Sequence, residues 1–330
     1  MKDKEKLTIY EYEERYSQKE NDERSKKIIN LVFFALGVII LVALFSLFKD
    51  VYDINVYAGY VVGVACLIAY VVLFIIPVIK IKNSQKFKVN VNAYTAKKAK
   101  KHNEKVRFNL SEKIIDVYSS TDCSWYDSQN VKTLIDAKNS GDSQKIKLAL
   151  NEIYSKDVKK AGNEIIGKCA LKSGTYSAVS QKDYTDALLV TAINLQMIKD
   201  LVYLYGFRPS DAKLMKIFTK VISNSLVAYG LGSVKVGAPL VKNVGGIFKS
   251  IPLLGSAIST VIDGSVQGLS NAVLTAVIGK QTVAYLKKEY NLQNVLDGVE
   301  IGTTEEEFEL LVSGIKKALN KNEKQTEITA

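Results

Sequence analysis

The sequence predicts an all-α protein: an N-terminal two-helix transmembrane hairpin, then a cytoplasmic helical domain with a glycine-rich C-terminal helical hairpin. Three observations predict this. Two apolar runs, residues 28–48 and 57–79, contain no Asp, Glu, Lys or Arg, and roughly 20 apolar residues in a helix cross a bilayer. Residues 142–179 carry apolar positions at helical spacing without sustained period-2 alternation. Residues 230–279 are apolar and rich in glycine, a composition suited to closely packed helices.

Taken in order, residues 1–27 are polar, carry both charge signs, and read as a mobile tail or a short helix leading to the membrane. The runs 28–48 and 57–79 form the hairpin, residues 28–80, because lipid forces unpaired backbone groups into helices. A signal peptide is excluded: the first run is long, begins late and has a second span directly behind it. Arg24, Lys26 and Lys27 precede the hairpin, and ten Lys and Arg residues from Lys80 to Arg107 follow it, offset only by Glu104. Basic flanks stay inside. This predicts a multi-pass protein of the cytoplasmic membrane with both termini cytoplasmic and residues 49–56 outside. Gly59 and Gly63, and Ala65 and Ala69, have the spacing that lets membrane helices approach closely. Pro77 lies near the cytoplasmic end, where a lost hydrogen bond is cheaply replaced.

Residues 81–108 lack Gly and Pro and read as a basic juxtamembrane helix or linker. Their charge is a topology signal and would attract anionic lipid headgroups, at about 1 kcal/mol per basic residue. Nucleic acid is disfavoured, since Arg forks and an aromatic binding motif are missing. The helical subdomain, 109–182, opens with a capping pattern at Ser111 and Glu112. Residues 119–130, with the lone Trp125, read as a loop, and two amphipathic helices follow in 142–179.

Residues 183–205 are apolar over more than one stripe, as in a helix buried within its domain. Gly206 ends this helix in a left-handed conformation. Pro209 disfavours helix at Arg208, and Ser210 caps the next helix. Within 230–279, Pro252 and Gly255 mark a break. Asp263, Gly264 and Gly268 divide two uncharged stretches, each too short for an ordinary span. Either this segment packs as a soluble helical hairpin, or it enters the bilayer and makes Asp263 functionally important. Residues 291–319 hold a last amphipathic helix, 303–319, with Glu305, Glu306 and Glu307 in its first turn. Residues 320–330 form a polar tail.

No enzymatic constellation emerges. The chain has 330 residues and a net charge of +11, and its single histidine, His102, sits in the Lys-rich stretch. Residues 279–282 carry a Gly-Lys pair but lack the rest of a phosphate loop, since Leu274 and Gln281 occupy required positions. Cys66, Cys123 and Cys169 are far apart and lack metal-ligand spacing. No catalytic residue, cofactor or metal is expected.

The segments 192–198, 204–209 and 251–256, and the glycine-spaced stretch ending in Lys287, Lys288, Glu289 and Tyr290, resemble the YcjF-like bacterial inner-membrane family. Its domain of unknown function also occurs fused to GTPases. The resemblance makes 183–290 a YcjF-like helical domain and implies a P-loop GTPase or ATPase working beside it. The expected function is a membrane-tethered scaffold for such a partner, with Gly206, Phe207, Arg208 and Pro209 as contact candidates. A second copy of the chain is a further candidate partner. The alternative is membrane remodelling or pore formation through 230–279.

Overall fold

The computed structural model describes residues 7–16, 22–120, 125–179, 183–228 and 266–301. Every named element among them is a helix: α1 (Ile9–Arg15), α2 (Asp22–Ile54), α3 (Val56–Tyr70), a π-helical turn (Val71–Ile75), α4 (Ile76–Asn83), α5 (Ala93–Ser120), α6 (Ser128–Asn139), α7 (Ser143–Ser155), α8 (Asp157–Val179), α9 (Asp183–Tyr205), α10 (Asp211–Ala228) and α11 (Val266–Asp297). Two compact units result. The first comprises Met1–Lys19, Lys88–Glu104 and Tyr290–Ala330; the second comprises Glu20–Phe87 and Lys105–Glu289.

In the first unit, α1 is set by a capping box: Thr8 accepts from the Glu11 N–H, and the Glu11 carboxylate accepts from the Thr8 N–H at 2.8 Å. Ile9 and Tyr12 then close a small core with Val91, Ala96, Ala99, Leu296 and Val299. The buried Tyr12 hydroxyl donates to the Val89 carbonyl at 2.8 Å. At the end of α11, Lys100 Nζ donates to the carbonyls of Val299 and Asp297, a cation placed where the helix dipole favours it. Part of the polar N-terminal stretch is thus a capped, packed helix.

Residues 81–108 do not form one helix. The chain leaves the helical conformation from Gln85 to Asn92; Phe87, Val89 and Val91 are buried while Lys88 and Asn90 are exposed. That is strand-like alternation in a short apolar-polar run. Helix α5 starts only after Asn92, whose side chain accepts from the Thr95 N–H at 3.1 Å. It then continues unbroken past Ser111, which is not a cap: its hydroxyl donates to the Phe108 carbonyl within the helix.

The second unit contains the hairpin and the bundle α6–α11 as far as Glu289. Helix α2 runs on to Ile54 and α3 starts at Val56, so the turn is Asn55 alone, with its side chain capping Ala58 N–H at 3.1 Å. Lys49, Asp50 and Asp53, expected in a connection, are therefore helical. The π turn sits immediately before Pro77, where it absorbs the register change that a missing N–H imposes. Inside the hairpin, a Cβ on Gly59 would lie 2.7 Å from the Tyr52 Cα, and one on Gly63 would lie 3.3 Å from the Phe48 ring. The spaced glycines are the points where the two hairpin helices meet.

Helix α9 is the centre of this unit, packed by α2, α4, α8 and α10. Near its middle, Met197 meets Gly279 of α11, against which Ile166 of α8 also lies. The ring of Phe33 on α2 meets Phe218 on α10 edge-on at 4.7 Å.

Candidate functional site

Two features of the second unit are candidates. One is the outer face of the hairpin. The other is the corner that joins α9 to α10.

The hairpin exposes large apolar side chains along its length: Leu31, Phe34 and Phe45 on α2, and Tyr57, Val61, Val64 and Leu67 on α3, each at least 60% accessible. Opposite faces of α2 are built differently. Ile29, Phe33, Leu36, Ile40 and Ala43 are buried, and α2 packs on α9 and α10. A groove of about 380 Å³ opens between α2 and α3, lined by Leu41, Phe45, Phe48, Gly63 and Leu67 among others. A face this large and apolar is a docking or membrane surface rather than ordinary exposure.

Among the described residues, three helices, Arg24–Ile54, Val56–Asn83 and Tyr184–Tyr205, are long and apolar enough to cross a membrane, which is consistent with membrane association. They differ in surroundings. The apolar window of the third is 67% buried inside the protein, against 33% and 17% for the other two. The exposed positions of α9 include Gln196 and Tyr203, with Asp200 half-buried. Helix α9 therefore has the environment of a core helix.

The corner begins at Gly206, where φ is +75°, a conformation glycine adopts without the penalty of a Cβ. Of the candidate contact residues, Phe207 and Pro209 are buried, while Gly206 and Arg208 are half-buried. Phe207 sits in an aromatic cluster with Phe87 at 4.8 Å, and with Tyr154 and Tyr205 near 6 Å. Arg208 Nη1 lies 2.7 Å from Asp211 Oδ1, and Lys86 Nζ lies 3.0 Å from Asp211 Oδ2. Burial would raise the Asp211 pKa, but Arg208 and Lys86 outweigh it and hold the carboxyl below its ordinary range. Beside it, Lys213 Nζ and Glu289 Oε1 form a buried pair at 2.8 Å, and the Ser210 N–H donates to the same oxygen at 3.1 Å. The main chain joins in: the Arg208 N–H donates to the Gln85 carbonyl at 2.9 Å. The side chains here are engaged internally and fix the angle between α9 and α10. Sequence inspection missed the partners, because Lys86 and Glu289 stand 125 and 76 positions from theirs.

At the other end of α9, Asn271 Nδ2 donates to Ser177 Oγ at 2.8 Å and to Asp186 Oδ2 at 3.0 Å, all three buried. Of the glycine-rich segment, Pro252, Gly255, Asp263 and Gly264 lie outside the described residues. Gly268 is buried, and its carbonyl lies 3.0 Å from where a Cβ on Gly174 would stand. This part of the segment packs helix on helix. The helix expected at 303–319 also lies outside the described residues.

Residues 142–299 match the profile of a domain of unknown function, DUF697. The match starts at Asp142, the residue that caps α7, and ends two residues beyond α11. It covers a little under half of the chain and leaves out the hairpin, α5 and α6. No curated protein and no solved structure matches the chain.

Proposed function

We propose that the chain is a membrane-anchored helical adaptor, attached to the cytoplasmic membrane by the α2–α4 hairpin with both termini on the cytoplasmic side. The observation that carries this reading is the hairpin's outer face: a continuous run of exposed Leu, Val, Phe and Tyr side chains that water would not tolerate and acyl chains would cover. The reading needs the hairpin to enter the bilayer from the cytoplasmic side; its multi-pass form would carry Asn55 to the outer face. Lys80 and Lys82 at the base of the hairpin, and Lys97, Lys98, Lys101 and Lys105 on α5, are exposed and suited to anionic headgroups.

The partner class is a cytoplasmic P-loop GTPase or ATPase, as the YcjF-like resemblance implies. The internal ion pairs of the corner support a rigid body that presents a surface. The packing of Gly268 against Gly174 favours this reading over a pore built from 230–279. The test is to purify the full chain in native membranes under carbonate wash, then in nanodiscs, and to assay what co-purifies for GTP or ATP hydrolysis. Retention in the membrane with a stoichiometric nucleotide hydrolase is the expected result. A chain that carbonate removes, or one that carries no hydrolase from any extraction, overturns the corresponding half of the proposal.

A further inference from the structure

We infer that the α2–α4 hairpin lies lengthwise in the cytoplasmic leaflet, as a wedge among the acyl chains of one monolayer, instead of crossing the bilayer. This rests on the reading that the chain is attached to a membrane. It follows from where the second unit puts its charges.

Helix α9 runs alongside α2, the π turn and α4, from near the hairpin's turn to its base. At the turn end, the Tyr184 hydroxyl bonds the Asp50 carboxylate. At the base, Gln85 Nε2 donates to the Gly206 carbonyl at 3.3 Å, and the Phe87 and Phe207 rings meet at 4.8 Å. Helix α8 runs antiparallel to α9. A Cβ on Gly162 would touch Leu201 and Leu204 at 3.8 Å, Ile166 shares Gly279 with Met197, and Ser177 shares Asn271 with Asp186. Lys168 and Lys172 therefore stand opposite the middle of α9, and so at mid-height of the hairpin, and both are exposed. On α10, Lys220 is exposed between Phe218, which packs on Phe33, and Ser225, which bonds Thr191.

A crossing hairpin would carry these three ammonium groups to hydrocarbon depth on the lipid-facing side of the bundle. Lysines snorkel to water only near the ends of a span. A lengthwise hairpin removes the conflict. The outer face, with Leu31, Phe34, Phe45, Val61, Val64 and Leu67, lies in acyl chains. The inner face of α2 packs on α9 and α10, and the lysines of α8 and α10 stay in water. One layer of helix, about 10 Å across, fits a leaflet of about 15 Å, half the hydrocarbon thickness. Between Ile28 and Asn83 the only charged residues are Lys49, Asp50 and Asp53 towards one end and Lys80 and Lys82 at the other, and from there they can reach the headgroups.

Depth along the hairpin separates the two poses. Nitroxide labels at Tyr57, Val64 and Val72, placed singly in a full chain with Cys66, Cys123 and Cys169 replaced by Ala, are read for depth in phosphatidylcholine–phosphatidylglycerol vesicles. The lengthwise pose gives three similar depths. A crossing helix rises 1.5 Å per residue, so Val64 would sit about 10 Å deeper than Tyr57, and that gradient overturns the inference. In parallel, Asp53→Cys and Lys168→Cys are challenged with an impermeant maleimide in right-side-out and inverted membrane vesicles. Labelling of both only in inverted vesicles supports the inference. Labelling of Asp53→Cys from outside overturns it while leaving the membrane reading intact. Failure of the chain to bind vesicles or fractionate with membranes overturns both.

Discussion

Replacing Lys213 by Met should destabilise the second unit more than replacing both Lys213 and Glu289. The side chains are 8% and 2% exposed, and their charged atoms lie 2.8 Å apart. Removing the lysine leaves the Glu289 carboxylate buried, with one Ser210 N–H at 3.1 Å. Breaking a buried pair from one side costs about 3–5 kcal/mol, whereas replacing both partners by packed apolar groups ranges from neutral to stabilising by about 1–4 kcal/mol. The double variant also strands the Ser210 N–H, a loss of about 1 kcal/mol. At about 2–4 °C per kcal/mol for a unit of this size, Lys213→Met should lower the unfolding midpoint by about 6–20 °C. Lys213→Met/Glu289→Met should recover most of that. The assay is thermal unfolding of the full chain in nanodiscs, followed by circular dichroism. A single variant within about 2 °C of the parent, or a double variant less stable than the single, would refute the claim that desolvation of Glu289 dominates at this corner.

Asp211 gives a pH dependence with a definite sign. Arg208 and Lys86 hold its folded pKa below the ordinary value, so its contribution is fully present above about pH 4 and fades as pH falls through the folded value; the unfolding midpoint of Asp211→Asn should lie below the parent's at pH 7 and converge with it below pH 4. Burial, aided by Asp200, pushes the Cys169 thiol up to about 11, so with Cys66 and Cys123 replaced the folded chain should resist iodoacetamide at pH 8 and react after denaturation. Gly279→Val sets a side chain 2.7 Å from Ile166 and 3.0 Å from Met197; overpacking of this kind costs about 1–3 kcal/mol, read as a lower denaturation midpoint at unchanged slope. Gly59→Val brings a Cβ within 2.7 Å of the Tyr52 backbone and should part the hairpin helices, abolishing cross-linking between Cys66 and Leu44→Cys, sites already joined by a 3.6 Å contact from Cys66 Sγ to the Leu44 carbonyl.

Features that depend on near neighbours were legible in the sequence. The uncharged hairpin runs, the buried breadth of α9 and the left-handed Gly206 all follow from residues within a turn or two of one another. Two local signals were present and unread: the Thr8-x-x-Glu11 capping box and the alternation of Phe87, Val89 and Val91 with polar residues, masked by the surrounding lysines. The internal role of the corner was not legible. Its residues look like an exposed turn by composition, and become a buried junction only because Lys86 and Glu289 arrive from distant helices. Composition also cannot separate a spanning helix from a core helix. Helix α9 satisfies both descriptions, and only its neighbours decide.

The same ambiguity governs how the hairpin meets lipid. Carried across as one rigid body with the bundle, it would bring Lys168, Lys172 and Lys220 to the level of the acyl chains. At about 2.5–3.5 kcal/mol for a charge at the centre of a span, three such groups cost about 8–10 kcal/mol, comparable to the 5–15 kcal/mol that holds a whole domain together. Releasing the bundle from the hairpin avoids that cost but strips α9 and α10 of their cover. Phe218, Val221 and Leu214, buried in the assembled unit, lie on the helix that α2 covers, and any that it shields would lose about 1.5–3 kcal/mol each on full exposure to water. Lying along one leaflet incurs neither penalty, because the lipid covers only the side of the hairpin that the bundle leaves open. The asymmetry of α2, packed on α3, α9 and α10 but open and apolar on its remaining face, is what such a seat requires, and a helix made only to cross a bilayer has no use for a protein-packed face of this length.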